Sequence, residues 1–422
     1  MDAATVMRVL RGAGYPLVRS EVPVVPGKRD FMLDVVAWGP DSQGELIPQV
    51  AVEVKQRDDQ SMLAAALRQL ELARDVLGTR RNYVVLGDSW YAGDGGLVTA
   101  TPVAGPSPVI SNVPIKLTNP ELVADLLIRR MFRLAGTERA RLETGQLFIS
   151  TAAQVIRETL SVGGIAADGL VIHVPREVLA DALFGRLLTQ LARPGSAGGQ
   201  YLTLPPVGSV LGRLLQARGG LILDPFCGSA SLLWHAARHR ISDVSMQLVG
   251  RDIDERVIML ASIAAELLPD GGQITLSDSL HEELPQAEYV ISQPPIGLSV
   301  NHNLGLLDGS TTSDADLIVL DRCISALRVG GRAALHTGRG WMSRESAMGY
   351  REWLNDNVRV AALIGLPGGL FIDSRIDSVV VVIERKPPTP TFVAQLGADW
   401  PIQLGENGPA LNAYREHLRE LG

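Results

Sequence analysis

Residues 1–112 alternate short Val-rich runs with one strongly periodic helix. FMLDVVAW (31–38) and PQVAVEVK (48–55) have the length and β-branched content of strands, and GPDSQGE between them carries turn residues. SMLAAALRQLELARDVLG (61–78) repeats Leu and Ala at helical spacing and stops at Gly78, a residue suited to a left-handed helix end. NYVVLGDSWY (82–91) returns to strand, and the run 101–114, with four prolines, predicts a linker. Residues 113–200 show helical periodicity only and end in RPGSAGGQ. From 201 to 386 the runs GLILD, MQLVGRD, ITLSD, AEYVIS, GRAALHT, RVAALIG and SVVVVIE alternate with helix-length segments, which predicts a doubly wound parallel sheet. Residues 387–422 form a tail with one amphipathic segment, ALNAYREHLREL, too short for another domain. The fold class expected is therefore α/β: an α/β unit (1–112), a helical connector (113–200), a Rossmann-like domain (201–386) and the tail.

Composition narrows the class. Hydrophobic residues make up 46% of the 422 and charged residues 20%, which excludes a disordered chain and fills the cores of two or three domains. No run reaches the ~18 apolar residues of a membrane span. The opening MDAATVMRVLRGAGYP lacks a basic-then-apolar leader, and two cysteines, Cys227 and Cys323, cannot build a disulfide framework or a Cys-rich zinc site. A cytoplasmic protein is expected. The net charge of −7 excludes a generally basic nucleic-acid coat and leaves room for a local basic cleft. Lysine occurs only at Lys28, Lys55, Lys116 and Lys386, so Lys55, inside an apolar strand, stands out.

The sharpest chemical signal is GGLILDPFCGSASLLWHAA (219–237), a buried strand ending in Asp224-Pro225, a turn with Gly228, and a helix opening at about Ser229. Backbone can approach a ligand there, with helix N–H groups facing it. The glycines do not follow the G-x-G-x-x-G order of a dinucleotide site. DPFCGSASLL resembles the DPxCGSGxxL segment of amino (N6-adenine) DNA methyltransferases, and in particular the modification subunits of type I restriction systems. Further segments follow in that family's order. TLPPVGSVLGRLL (203–215) resembles the Thr-x-Pro segment, implying Thr203 and Pro205 beside S-adenosylmethionine. QLVGRDID (247–254) places Asp252 where the family's acidic residue takes the cofactor ribose, and a carboxylate suits two neighbouring hydroxyls. TLSDSL (275–280) resembles GDxL, implying that Asp278 accepts from the cofactor's adenine amino group, with Ser279 beside it. LIGLPGGLFIDSRIDSVVVVIER (363–385) is similar to the late IGLPxGLF segment. The resemblance implies a class I methyltransferase fold with Asp224, Pro225, Phe226, Cys227 and Gly228 in the cofactor loop.

The segment that would carry the chemistry departs from the pattern. The family has [Asn/Asp/Ser]-Pro-Pro-[aromatic], whose side chain and Pro carbonyl accept from the target amine and whose ring stacks on the flipped base. Here the residues are Gln293, Pro294, Pro295 and Ile296. Gln keeps the amide carbonyl but adds a methylene, shifting the acceptor by ~1 Å, a displacement that can cost about a hundredfold in rate. Ile296 lacks the stacking face, worth about 1–3 kcal/mol per base. Ala230 stands where the family prefers Gly.

In the N-terminal unit, Asp34 lies on one expected strand and Glu53 and Lys55 on the next. Residues i and i+2 of a strand share a face, so Glu53 and Lys55 project together. Two carboxylates for Mg²⁺ and a cation near an attacking water are what phosphodiester hydrolysis requires. The stretch resembles the PD-(D/E)xK nucleases of type I restriction subunits, which implies Asp34 and Glu53 as metal ligands and Gln69, on the following helix, as a further site residue. Asp30 competes with Asp34 as the first carboxylate, and an ordinary half-exposed edge strand would also read V-E-V-K.

His281, His302 and His336 show no metal-ligand spacing, and the arginines of 129–141 fit phosphate contacts or a solvated face. Cys227 and Trp341 are expected to pack. The order nuclease-like unit, connector, methyltransferase resembles type IIG restriction enzymes without a target-recognition domain. The expected function is S-adenosylmethionine-dependent adenine methylation of double-stranded DNA in a prokaryotic defence system, with Mg²⁺-dependent cleavage and a separate specificity subunit. The rival is a non-catalytic cofactor- or nucleic-acid-binding scaffold, to which Gln293 and Ile296 point.

Overall fold

The computed structural model describes residues 1–24, 31–56, 60–109, 113–134, 145–167, 170–191, 202–294, 296, 299–371 and 376–421. The chain forms two units, Met1–Asn119 with Thr159–Pro175, and Pro120–Glu158 with Arg176–Gly422.

In the first unit β1 (Leu17–Pro23), β2 (Met32–Pro40), β3 (Leu46–Lys55), β4 (Arg81–Leu86), β5 (Ser89–Gly93) and β6 (Ala100–Val103) lie side by side in that order. β3 and β4 run parallel, and such a pair needs a crossover, supplied by the helix Leu63–Leu77. That helix ends at Gly78 with φ 71°, as the sequence suggests, and buries Ala66, Leu67, Leu70 and Ala73. The helix Ala3–Gly12, whose N-cap Asp2 accepts from the Thr5 amide, packs Val6 and Leu10 against Val35, Val50, Val52 and Val85. Alternation along β3 sends Val50 and Val52 to this core and leaves Glu53 and Lys55 on the opposite face.

Two expectations need correction here. The run 101–114 is not wholly linker, because β6 pairs with β5; an edge strand tolerates Pro102. The stretch 113–200 is not helical throughout. Gly163, at φ 67°, follows the helix Gly145–Val162, and β7 (Gly164–Ala167) pairs antiparallel with β8 (Leu170–His173), burying Ile165 and Ile172.

The second unit contains β9 (Gly220–Asp224), β10 (Met246–Asp252), β11 (Gln273–Leu276), β12 (Ala287–Ser292), the paired β13 (Ser299–Gly305) and β14 (Thr311–Asp314), β15 (Leu327–Gly338), β16 (Arg359–Leu366), β17 (Ser378–Glu384) and β18 (Phe392–Gln395). Eight of these form one sheet in the order β11-β10-β9-β12-β15-β17-β16-β18. Its neighbours are parallel except at β17, which is antiparallel to both β15 and β16. This is a doubly wound sheet, and its strand order reverses beside β9, which opens a crevice at the carboxyl ends. The segment 387–422 does more than trail: β18 extends the sheet, and the helix Pro409–Glu420 buries Leu411 and Tyr414.

Glu384, 1% exposed, ties three strands together. It accepts from Arg332 of β15 at 2.9 Å and from Arg359 of β16 at 3.2 Å. Lys386 Nζ lies 3.4 Å away. Among the described residues no helix is long and apolar enough to cross a membrane.

Candidate active site

The carboxyl ends of β9, β10, β11 and β12 surround a cavity of about 560 Å³, within the usual range for small-molecule sites. Asp224, Pro225, Phe226, Cys227 and Gly228 border it from the loop after β9, and Asp252 borders it from the end of β10. Asp278, Ser279 and Gln293 follow from β11 and β12, and Thr203 borders it just before the helix Pro205–Leu215. Pro205 is the first residue of that helix, where its missing N–H costs nothing.

Each carboxylate is held by backbone. Asp252 accepts from Gly228 N at 2.9 Å and from Asp254 N at 3.0 Å, one bond on each oxygen. Each oxygen keeps a lone-pair direction open to a further donor. Burial raises the Asp252 pKa against the lowering effect of those bonds. Asp278 accepts from Leu280 N at 3.0 Å and pairs with His281 Nδ1 at 2.7 Å; His281 Nε2 meets His302 Nε2 at 3.1 Å. Both histidines border the cavity, so they are hydrogen-bonding residues at its rim.

Asp224 is fully buried, and its Oδ1 takes Phe226 N at 3.2 Å and Ser292 Oγ at 3.0 Å. Its Oδ2 has no partner among the described residues. Burial pushes its pKa up to about 7. An acid with a raised pKa stabilises the fold most below its unfolded value and loses that contribution as pH rises through the folded one. Stability of the ligand-free second unit is therefore expected to fall by a few kcal/mol between about pH 4 and pH 8, and Asp224→Asn to flatten the profile. Urea titrations across that range test it; identical profiles for the two proteins would refute it.

Ala230, fully buried, takes φ 64°, a left-handed conformation that costs a non-glycine residue about 1–2 kcal/mol. That strain accounts for the glycine expected at this place. Cys227 packs its sulfur against Gly250, where a Cβ would come within 2.9 Å of it. Trp341 is core, its Nε1 donating to Thr337 Oγ1.

The segment after β12 meets His336, expected from the sequence to be a surface or hydrogen-bonding residue without metal-ligand spacing; it is hydrogen-bonded and not at the surface. Gln293 Oε1 lies 3.0 Å from Nδ1 of His336, which is fully buried on β15. Pro294 is buried, Pro295 lies outside the described residues, and Ile296 sits over Gly338 rather than bordering the cavity. A histidine inside the apolar run GRAALHT was the available signal.

In the first unit the four nuclease-like residues converge. Lys55 Nζ is 2.7 Å from Glu53 Oε2, 3.9 Å from Asp34 Oδ2 and 3.5 Å from Gln69 Oε1. Asp34 also accepts from Val54 N at 2.7 Å. Glu53 is 1% exposed, with Oε1 unpartnered among the described residues, and burial lifts its pKa to about 7. Among the described residues no group of three His, Cys, Asp or Glu is placed to hold a metal ion. Asp30 lies outside the described residues, as do 135–141 of the arginine-bearing segment, where Arg130 pairs with Glu158.

Comparison with known proteins bears on the second unit. The family model described as N-6 DNA Methylase matches residues 176–402. The chain is 26% identical over 243 residues to the StySPI type I restriction enzyme methylase subunit of Salmonella potsdam, covering 50% of this chain and 45% of that protein. The EcoKI methylase subunit of Escherichia coli K12 matches with the same identity and coverage. The chain thus spans about half the length of the curated relatives it matches. A type I restriction-modification methyltransferase subunit from Streptococcus thermophilus aligns over 69% of this chain and 67% of its own, at 22% identity and a TM-score of 0.49. With its family model spanning more than half of the residues, this chain belongs to the N-6 DNA methylase family.

Proposed function

We infer that the second unit binds S-adenosylmethionine and passes its methyl group to the exocyclic amine of an adenine in double-stranded DNA. The observation that carries this reading is the convergence of Asp224, Asp252, Asp278 and Gln293 on one cavity at the strand-order reversal. The residues fit the cofactor's chemistry. Asp224 Oδ2, buried without a partner among the described residues, suits a cationic amine, which would also hold that carboxyl ionised. Asp252 would take the ribose hydroxyls, Asp278 the cofactor's adenine amino group, and Thr203, Phe226 and Ser279 the remaining wall. When bound, the cofactor supplies an electrophilic methyl group. The chain's own part is to place the acceptor amine in line with that methyl, through the Gln293 side chain and the Pro294 carbonyl.

Labelled-methyl transfer to double-stranded DNA, with and without a candidate specificity subunit, tests this. Transfer is expected, and Gln293→Ala should cut it about a hundredfold while leaving cofactor affinity nearly unchanged. Cofactor binding without transfer to any nucleic acid would instead favour a binding scaffold. That second reading draws on Ile296, which offers no ring to a base and does not border the cavity.

For the first unit the proposed role is Mg²⁺-dependent cleavage of a phosphodiester bond. Support comes from the Asp34, Glu53, Lys55 and Gln69 cluster and from the unpartnered Glu53 Oε1. Asp34 and Glu53 would hold the ion, and Lys55 would face the developing negative charge. Magnesium-dependent nicking of plasmid DNA should vanish in Glu53→Ala and in Lys55→Ala; nicking that persists in both removes the assignment.

A further inference from the structure

His336 lies on β15, the neighbour of β12, with its ring fully buried and stacked on Phe371 at a centroid distance of 4.3 Å and an interplanar angle of 5°. Nδ1 faces Gln293 Oε1 at 3.0 Å, whereas Nε2 is buried with no partner among the described residues. Burial pushes the ring's pKa down to about 3, so the imidazole is neutral and carries one N–H. On Nε2 that proton would be a buried donor with no acceptor among the described residues, at a cost of about 1–3 kcal/mol. On Nδ1 it is used. Orphaned N–H groups are also rarer in folded proteins than under-satisfied acceptors. The atom of Gln293 that faces His336 must then be its oxygen, and the NH2 turns the other way, on a residue that borders the cavity.

We propose that His336 is a positioning residue that holds the Gln293 amide oxygen inward, so that the site grips its target adenine through a ring nitrogen and leaves the amine to the Pro294 carbonyl. The proposal rests on the methyl-transfer reading above and deepens it. An oxygen presented here would accept from the amine directly. An NH2 meets a lone pair instead, and in adenine the ring nitrogen beside the amine-bearing carbon, N1, provides one. The additional methylene of Gln, relative to Asn or Asp, gives one side chain the reach to serve a buried histidine and a base together.

Two measurements decide it. In ¹⁵N-histidine NMR of the full chain, His336 should show the Nδ1–H tautomer from about pH 5 to about pH 8 without titrating; an Nε2–H tautomer overturns the proposal. In the transfer assay, DNA carrying 1-deazaadenine, which has a C–H in place of N1, should raise KM about tenfold or more. His336→Leu should lower kcat about tenfold with cofactor affinity held within about twofold. His336→Asn, which keeps a donor near the place of Nδ1, should restore most of that loss. An unaltered KM for the deaza substrate, or equal losses in the Leu and Asn variants, also overturns it. If the unsubstituted chain transfers no methyl group, the transfer reading fails, and the tautomer still decides for or against the His336–Gln293 arrangement.

Discussion

Glu384→Ala is expected to destabilise the second unit by about 3–5 kcal/mol, the usual cost of removing one partner from a buried charge network. Glu384 is 1% exposed and accepts from Arg332 and Arg359, whose side chains are 14% and 9% exposed. Truncation leaves both guanidinium groups poorly solvated and without their shared acceptor. Arg359 already has Nε and Nη2 buried without partners among the described residues, so it has no ready alternative there. Burial alone would raise the Glu384 pKa; the charges and hydrogen bonds of Arg332, with Lys386 and Arg359, outweigh it and bring it below the ordinary value. A depressed carboxyl contributes its stability above the unfolded pKa and loses it as pH falls through the folded one, so the difference between the two proteins should shrink in acid. Urea unfolding, with hydrogen exchange of β16 and β17 as the local probe, measures it. A loss under about 1 kcal/mol at neutral pH would mean the arginines find solvent.

Asp252→Ala is expected to weaken S-adenosylmethionine binding by about a hundredfold or more. Two hydroxyls hydrogen-bonded to one ionised carboxylate are worth about 1.5–3 kcal/mol each. The same carboxylate receives the Gly228 and Asp254 amides, so its removal also loosens the loop after β9. Asp252→Asn, which retains one acceptor oxygen, should fall between the two. Calorimetry with the purified chain provides the readout, and circular dichroism separates lost affinity from lost fold. An affinity unchanged in Asp252→Ala would take the ribose contact away from this residue.

Several central strands of the second unit are legible in the sequence as short apolar-rich runs bounded by turn residues. MQLVGRD, AEYVIS and SVVVVIE coincide with β10, β12 and β17 to the residue, and SVVVVIE, antiparallel to both neighbours, is buried at every position. Edge elements were harder. FVAQ forms β18 through its partner β16 rather than its own pattern, and Val393 is 70% exposed. The pair β7 and β8 is only four residues per strand, short enough to pass for helical periodicity. In the site, Asp224, Asp252 and Asp278 could be picked out because DPFCGSASLL, QLVGRDID and TLSDSL resemble the family's segments in the family's order, whereas an Asp at a strand end alone is usually a cap or turn residue. The Gln293–His336 contact joins residues 43 apart on different strands, and no local pattern encodes it. The departure at Gln293 and the histidine in GRAALHT were each visible; their pairing was not.

The backbone passes between the two units three times, after residues 119, 158 and 175. A fragment ending at residue 119 would therefore discard β7 and β8. It would leave the Leu117 amide without its acceptor, the His173 carbonyl at 2.8 Å, and break the bridge that Lys116 makes to His173. Simple truncation is thus a poor way to obtain either half in isolation. Engineering a stand-alone N-terminal piece calls for splicing 159–175 back on through a short artificial loop.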